Sequence, residues 1–498
     1  MTTSSALPAR VRYGYAAGSL ATGAFGTVPG LLLLPYLTDT IGIGAAVAGA
    51  LVLLPKAWDV LFNPVAGRIS DRTRGPHGPR RPYLLRGGIA LAILFAAIFA
   101  YPGFGQAGTA VWVVVMFLLA ATAYALYQVP YVAMPAEMTD DPAERTRLMT
   151  RRIAVLAVAI LIAGAGAPAV RDAVGGVNGY RLMGLAVGAL ILIGALWSYL
   201  GTAKAPVGVP RPSAASWRET VAAVRAAPRF ARLWLVFVIQ AVGIGTMLAG
   251  VDYVARVVLQ SAGMSSVLFA AFVGPALLVM PLWQAAAARW SKAVCYAAAS
   301  VIFAAGAAGI AALAVTSDRA RNIPMNMPAG AILPGPPITP VIALVVLVGI
   351  GYAGMQVFPL SLLADLSADA EARTGGKRAG LFAGVWTAGE TFGLALGPGI
   401  YGLVLAAGSY VSGGEADSQP TSAVVAAALG FTVIPAVCAM VALPLLRRVQ
   451  PPPDPTGHTV ALRSTDAAHH GPVADDRAAA PAGDEAIGSG TEDPGATP

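Results

Sequence analysis

The sequence predicts an all-α membrane protein of twelve transmembrane helices arranged as two pseudo-symmetric six-helix halves. Three observations lead there: an apolar composition poor in charge, a series of apolar segments long enough to span, and a motif repeated six helices apart. Of the 498 residues, 56% are hydrophobic and 12% charged, and the mean hydropathy is +0.68. A water-soluble chain carries roughly 25% charged residues. Most of this chain's area must therefore meet lipid.

Crossing the hydrocarbon core takes roughly 20 apolar residues in a helix. Segments of that kind fall at about 13–37, 44–69, 84–103, 109–134, 152–170, 180–201, 231–252, 264–288, 291–316, 339–364, 378–406 and 422–446. Several contain Gly or Pro, which membrane helices tolerate where neighbours satisfy the freed backbone groups. Arg10 and Arg12 lead straight into a spanning stretch, so no cleavable signal peptide is expected. Cys295 and Cys438 both lie in apolar runs and read as buried thiols rather than a disulfide framework.

Lys and Arg in the loops set the orientation. The second loop (70–83) holds Arg72, Arg74, Arg80 and Arg81, and the fourth (135–151) holds Arg145, Arg147 and Arg151. The sixth (202–230) holds Lys204, Arg211, Arg218, Arg225 and Arg229. Arg289 with Lys292, Arg373 with Lys377, and Arg447 with Arg448 continue the series, while the first, third and eleventh loops carry neither residue. The alternation places both termini in the cytoplasm of a cell whose inner membrane the chain crosses. Arg171, Arg256, Arg319 and Arg321 fall on the other side, against the pattern.

The net charge of +8 combines two opposed parts. Residues 451–498 hold eight acids against Arg463 and Arg477, a net of −6, which leaves +14 on the rest. A basic excess on such a chain belongs to its cytoplasmic loops, not to a nucleic-acid partner. The domain organisation that follows is a first bundle at 1–201, a linker at 202–230, a second bundle at 231–448 and an acidic disordered tail at 449–498. The linker carries a capping box, Ser216 with Glu219. It reads either as a surface helix, with Trp217 and Phe230 at the interface, or as a solvated connector.

The repeat joins Tyr124-Ala-Leu-Tyr-Gln128-Val129 in span four to Tyr352-Ala-Gly-Met-Gln356-Val357 in span ten, 228 residues on. At the same offset Glu137 meets Asp365, Asp141 meets Asp369, and Arg145-Thr146 meets Arg373-Thr374. Pro55 and Pro281, about 226 apart, add a weaker echo. Equivalent positions six helices apart imply two halves related by an axis along the membrane normal, with a site between them near the midplane. No phosphate-binding GxxxxGK[ST] stretch and no His/Cys cluster of metal spacing occurs, so neither an ATP-driven pump, an enzyme, a cofactor nor a metal is expected.

Ionisable residues at membrane depth are costly and usually functional. Lys56 and Asp59 lie three residues apart on one face of span two and can pair. Glu390 lies well inside span eleven, where it can carry a proton, bind solute or simply bond a neighbouring helix. Tyr124, Gln128 and Tyr131 in span four are candidate cavity residues, as are Gln240 and Gln356 in the second half and Trp386 and Thr391 beside Glu390. Tyr127 and Trp283 add to these polar–aromatic linings, which suit a hydroxyl-rich or amphiphilic solute. Helix packing explains any one of them equally well.

The segment Lys56-Ala-Trp58-Asp59-Val-Leu-Phe62-Asn63-Pro64-Val-Ala-Gly67-Arg-Ile-Ser-Asp71-Arg72, followed by Gly78-Pro-Arg80-Arg81-Pro82-Tyr83, resembles the glycoside–pentoside–hexuronide:cation symporter family of the major facilitator superfamily, the melibiose permease type. A second segment, Val129-Pro130-Tyr131 through Glu137 to Glu144-Arg145-Thr146, is similar to the family's span-four end and Glu-Arg loop. The likeness covers about residues 11–448. It implies the major facilitator fold and symport of a small glycoside-like solute with sodium or a proton. It also implies a cation site of two carboxylates in span two, of which this sequence keeps Asp59 and has Asn63 as the second. The neighbouring family Asn is Phe62 here and the span-four Thr is Ala125, while the sugar-binding acids appear as Ser19 or Leu20 and as Gln128. A Lys common in span eleven falls near Thr391.

Sodium wants several hard oxygen ligands, whereas a proton needs one carboxylate. Proton coupling through Asp59, with Lys56 and Glu390 as further candidates, is therefore expected, or no coupling at all. The Gly67-x-x-x-Asp71-Arg72 element resembles the superfamily signature between spans two and three. Gly67, Asp71, Arg72 and Arg145 are accordingly expected to act on conformation. The leading functional reading is a monomeric, proton-driven carrier of a small sugar-related solute. The alternatives are a lysolipid or drug transporter and a non-transporting membrane sensor that uses its tail.

Overall fold

The computed structural model describes residues 7–73, 78–139, 141–206, 217–261, 263–317, 335–374 and 379–447. Ser216, the side chain of Trp217, Arg319, Arg321, Lys377, Arg448 and the acidic tail lie outside them. Twelve helices are long and apolar enough to cross a membrane, and no strand occurs among the described residues. The first six spans are Ala9–Thr40, Ala45–Arg72, Arg81–Ile98, Gly105–Met138, Glu144–Val174 and Gly176–Lys204. The second six are Pro228–Val258, Met264–Ala287, Lys292–Thr316, Ile338–Ser367, Leu381–Ala407 and Thr421–Leu446.

The two halves pair their helices alike. In the first half span one packs on five and six, three on four and six, and two on four. In the second half seven packs on eleven and twelve, nine on ten and twelve, and eight on ten. Span two against eleven and span five against eight, an equivalent pair under the same exchange, join the halves. Spans one and seven share a local feature as well. Each ends in a π-helical turn, Tyr36–Thr40 and Val254–Val258, closed by the same wide bonds, Ile43 N to Leu37 O and Ser261 N to Ala255 O, both 2.9 Å. Such turns concentrate at functional positions.

Lipid gives helices no hydrophobic reason to associate, so close packing of small residues must hold the bundle. A Cβ added at Gly14 would sit 2.5 Å from the Gly201 backbone, and one at Gly397 would sit 2.1 Å from that of Gly245. Between the halves, a Cβ on Gly49 would lie 2.9 Å from Pro398 O, and one on Gly402 would lie 2.4 Å from Ala45 O. Glycine at these four places permits backbone to approach backbone. Spans one and seven are the most enclosed: 89% and 72% of their apolar stretches lie inside the protein, against 28% in span five. They form the central wall.

The linker contains a short helix, Trp217–Ala226. Phe230, expected at the interface, is 1% exposed and lies 4.3 Å from the Phe382 ring. It is a packing residue between spans seven and eleven, because the apolar stripe of span seven begins one turn earlier than composition suggests. Cys295 is buried, Cys438 half-buried, and both thiols are free.

Candidate functional site: a central cavity between the halves

A cavity of about 260 Å³ lies between the two halves. Span four presents Tyr124 and Gln128 to it from the first half, and span ten presents Tyr352 and Gln356 from the second. These are the two copies of the repeated motif, brought face to face. Gln356 Nε2 donates to Tyr352 Oη at 3.1 Å, whereas the Tyr124 ring stacks at 4.5 Å on Phe25 of span one. Spans one, five, seven, eight and eleven complete the wall with Thr22 and Thr27, Arg152, Phe237, Phe269 and Phe272, and Glu390.

Helical phase explains which expected residues reach the cavity. In span seven the lining residues Phe237, Ala241, Ile244 and Leu248 form one stripe at helical spacing. Gln240 is off that stripe and 2% exposed. Its Nε2 donates to Ser300 Oγ at 3.1 Å and its Oε1 accepts from Tyr296 at 2.5 Å, so it ties span seven to nine instead of facing solute. Trp386 lies one turn before Glu390 on the same side of span eleven, yet it is outside the cavity lining: its ring is buried and stacks on Phe237 at 4.2 Å. Thr391 does not line the cavity.

Tyr131 shares the stripe of Tyr124 and Gln128, but there the stripe has run onto span one. Its hydroxyl donates to Tyr15 O at 2.7 Å and shares a 3.0 Å bond with Ser19 Oγ. Tyr127 is fixed the same way, donating to Gly18 O at 3.1 Å.

Asp59 and Lys56 stand apart from the cavity lining. Asp59 is 7% exposed, and its Oδ1 has no hydrogen-bond partner among the described residues. No salt bridge joins Lys56 to Asp59, contrary to the expected pairing. Side chains on a helix lean toward its N-terminus, which carries the lysine amine away from an acid that follows it. The order acid-then-base is the favourable one, and here it is reversed.

The face of the bundle that carries its termini holds the signature residues. Asp71 accepts from Arg80 Nη2 at 2.6 Å, and the same guanidinium meets Glu137 at 2.8 Å and Ser70 Oγ at 2.6 Å. Arg145 donates from Nη2 to Thr139 O at 2.9 Å, bracing the turn between spans four and five. Arg72 is exposed, and Gly67 approaches only Val129 of its own half. In the second half Lys292 pairs with Asp365 at 2.6 Å at the equivalent junction of spans nine and ten.

On the opposite face the halves are bonded together. Asp252 of span seven is fully buried and binds Arg171 Nη2 of span five at 2.7 Å, Arg256 Nη2 at 2.6 Å and Ser265 Oγ at 2.7 Å. Arg256 also pairs with Asp39 of span one, which accepts from Tyr410 at 2.8 Å. Thr38 and Tyr253 share a 2.6 Å bond, and Gly413 N donates to Thr38 O at 2.9 Å. Burial and the adjacent Asp39 push the Tyr410 hydroxyl's pKa upward, so it stays a donor. Arg171 and Arg256, which broke the loop-charge pattern, are thus helix residues neutralised by acids rather than loop cations.

Span eleven is more open toward the terminal face than beside this seal. Ala383 and Thr387 are exposed on the same side of the helix that carries Glu390 and Leu394 inward. Further along, Gly397, Pro398, Tyr401 and Gly402 are buried.

Sequence reasoning missed Arg152, Thr22 and the three phenylalanines. Arg152 was read as the edge of span five, but the helix starts at Pro142 and sets it well inside. The start signal, Pro142 with Glu144 in the first turn, was available. Tyr352 was signalled by the repeat itself.

A family model described as MFS/sugar transport protein matches residues 14–450. YagG of Escherichia coli (strain K12), provisionally named a glycoside/cation symporter, is 35% identical over 160 residues, 32% of this chain and 35% of that one. The same organism's glucuronide carrier protein homolog is 31% identical over 144 residues, 29% of this chain and 32% of its own length. These alignments span about a third of the curated relatives. Among solved structures, a bacterial homologue of the human drug peptide transporters PepT1 and PepT2 superposes with TM-score 0.61 at 13% identity, over 89% of this chain and 99% of that one. A bacterial homolog of the human lysosomal transporter Spinster, inward-facing and unoccupied, gives 0.60 at 17% identity, over 89% and 98%. At such identities the likeness is one of fold.

Proposed function

The chain belongs to the MFS/sugar transport protein family, and from that premise we propose that it carries a small organic solute across the membrane by alternating access, coupled to protons through Asp59. The observation that carries this reading is the cavity itself, walled by both copies of the repeated motif. Rocking of the two halves about such a site exposes it to each side in turn. The terminal face, rich in Lys and Arg, is cytoplasmic under this reading, and the present conformer opens inward. The chain works as a monomer in the inner membrane, with bundles at 1–201 and 231–448, a linker at 202–230 and a tail at 449–498.

Asp59 suits a proton because its buried Oδ1 has no partner among the described residues and only one carboxylate is present in this stretch of span two. Lys56 tunes that carboxylate from the preceding turn. Gly67, Asp71, Arg72 and Arg145 bias the facing state, Asp71 through its bond to Arg80. Sodium is the second reading, favoured by one observation: Asn63 Oδ1, a turn away, is also buried without a partner.

The test is uptake of a labelled panel of small sugar derivatives, neutral, singly charged and zwitterionic, into proteoliposomes under separate proton and sodium gradients, with wild type and Asp59→Asn. Proton-driven accumulation that falls in the variant to the level without a gradient is expected. Sodium-driven accumulation would overturn the assigned ion. Absence of uptake under both gradients would overturn solute import.

A further inference from the structure

The cavity holds two opposite charges that the protein leaves without charge partners. Arg152, from the first half, faces the Tyr131 ring at 5.5 Å but makes no salt bridge among the described residues, and its Nε has no hydrogen-bond partner. Glu390, from the second half, lines the same cavity and has neither hydrogen bond nor ion pair among the described residues. Tyr124 lines the cavity with both of them. At both ends of the bundle buried charge is matched: Asp252 has two arginines, and Arg80 has two acids. Unmatched charge is confined to the middle of the bundle, at Asp59 in span two and at Arg152 and Glu390 in the cavity.

An uncompensated charge in an apolar surround is expensive. The rest of the wall deepens that cost, since Phe237, Phe269, Phe272, Leu156 and Ile160 offer no counter-charge. A proton can neutralise Glu390 but leaves Arg152 unmatched, whereas a solute with an anion for one side and a cation for the other compensates both charges. A neutral glycoside supplies neither.

Resting on the carrier reading above, we propose that the solute is a small organic zwitterion, its anionic group held by Arg152 and its cationic group by Glu390. The charge-assisted bonds at the two ends are made to different halves. A solute carrying both charges therefore bridges the halves, which a singly charged one does not. This gives Glu390 a role in solute recognition and leaves Asp59, outside the cavity lining, as the proton site.

The experiment is ligand binding to the purified full-length chain, read by thermal shift and by intrinsic tryptophan fluorescence. Four probes on one hexose frame are compared: muramic acid with both charges, N-acetylmuramic acid with the carboxylate alone, glucosamine with the ammonium alone, and methyl glucoside with neither. Muramic acid is expected to bind at least about tenfold tighter than either singly charged probe, a modest return for an added charge-assisted bond. Arg152→Gln should abolish N-acetylmuramic acid binding and spare glucosamine, and Glu390→Gln should do the reverse. The opposite selectivities of the two variants guard against a mere folding defect. Methyl glucoside binding as well as muramic acid, Glu390→Gln leaving muramic acid unaffected, or no binding by any of the four would each overturn the proposal. Proton-driven uptake of neutral glycosides would sink it while leaving the carrier reading intact. The expected charge pattern without uptake in proteoliposomes would sink the carrier reading instead.

Discussion

On the face away from the termini, Arg171 and Arg256 bind acids across the boundary between the halves, with Asp252 at the centre and no part of it exposed. On the terminal face, Arg80 and Lys292 each bind acids of their own half. The first arrangement holds the halves together, and the second holds each half in shape. The difference teaches which contacts must break for the cavity to change sides: the network on the far face, while the terminal clusters can ride along with their own halves. A second contrast lies within the terminal face. Arg80 is almost fully enclosed and has three partners, whereas the Lys292–Asp365 pair is roughly half exposed. Among the described residues the halves share a fold but not a distribution of charge at this junction.

Removing the centre of the far network is the strongest way to break the comparison. Asp252→Ala leaves two arginines without their shared acid, and losing one member of a buried ion cluster costs about 3–5 kcal/mol. A large drop in thermal stability is expected, together with loss of disulfide formation between cysteines placed at Leu53 and Gly399, where a Cβ on Gly399 would lie 3.8 Å from the Leu53 side chain. Crosslinking as efficient as in the parent would show that the network does not hold that face shut. Arg80→Gln comes next. Its acids are less deeply enclosed, so about 2–3 kcal/mol is expected, with the Leu53–Gly399 crosslink unchanged because the cluster lies within one half. A lost crosslink would mean that the terminal clusters also report across the boundary. Lys292→Ala should cost less than about 1 kcal/mol, as exposed pairs do. A loss in thermal unfolding comparable to that of Arg80→Gln would erase the contrast between the halves.

Much of the architecture was legible in the chain, and for identifiable reasons. Span positions follow from runs of apolar residues, since the length needed to cross lipid is fixed by the bilayer. The repeat at Tyr124 and Tyr352 foretold two equivalent cavity walls. Within the site the same text was ambiguous. Tyr124, Gln128, Gln356 and Glu390 reach the cavity, whereas Tyr131, Gln240 and Trp386 bond or stack against neighbouring helices. Spans that are apolar all round carry little phase information, so a residue one position along, about 100° around the helix, cannot be told from a lining one. Arg152 was hidden differently, by an early helix start that moved an apparent loop residue into the membrane's interior.

By itself, the sequence determined that this chain spans the membrane twelve times, that its halves are copies, and that span two carries the buried acid Asp59. These follow from composition, spacing and repetition, which are properties of the chain taken one segment at a time. The tertiary structure alone decided which side is sealed, which polar groups are spent on packing, and that Arg152 and Glu390 share a cavity. Such facts depend on the rotation of each helix about its axis and on which helices meet. Backbone-to-backbone approaches such as Gly14 with Gly201 and Gly245 with Gly397 set both.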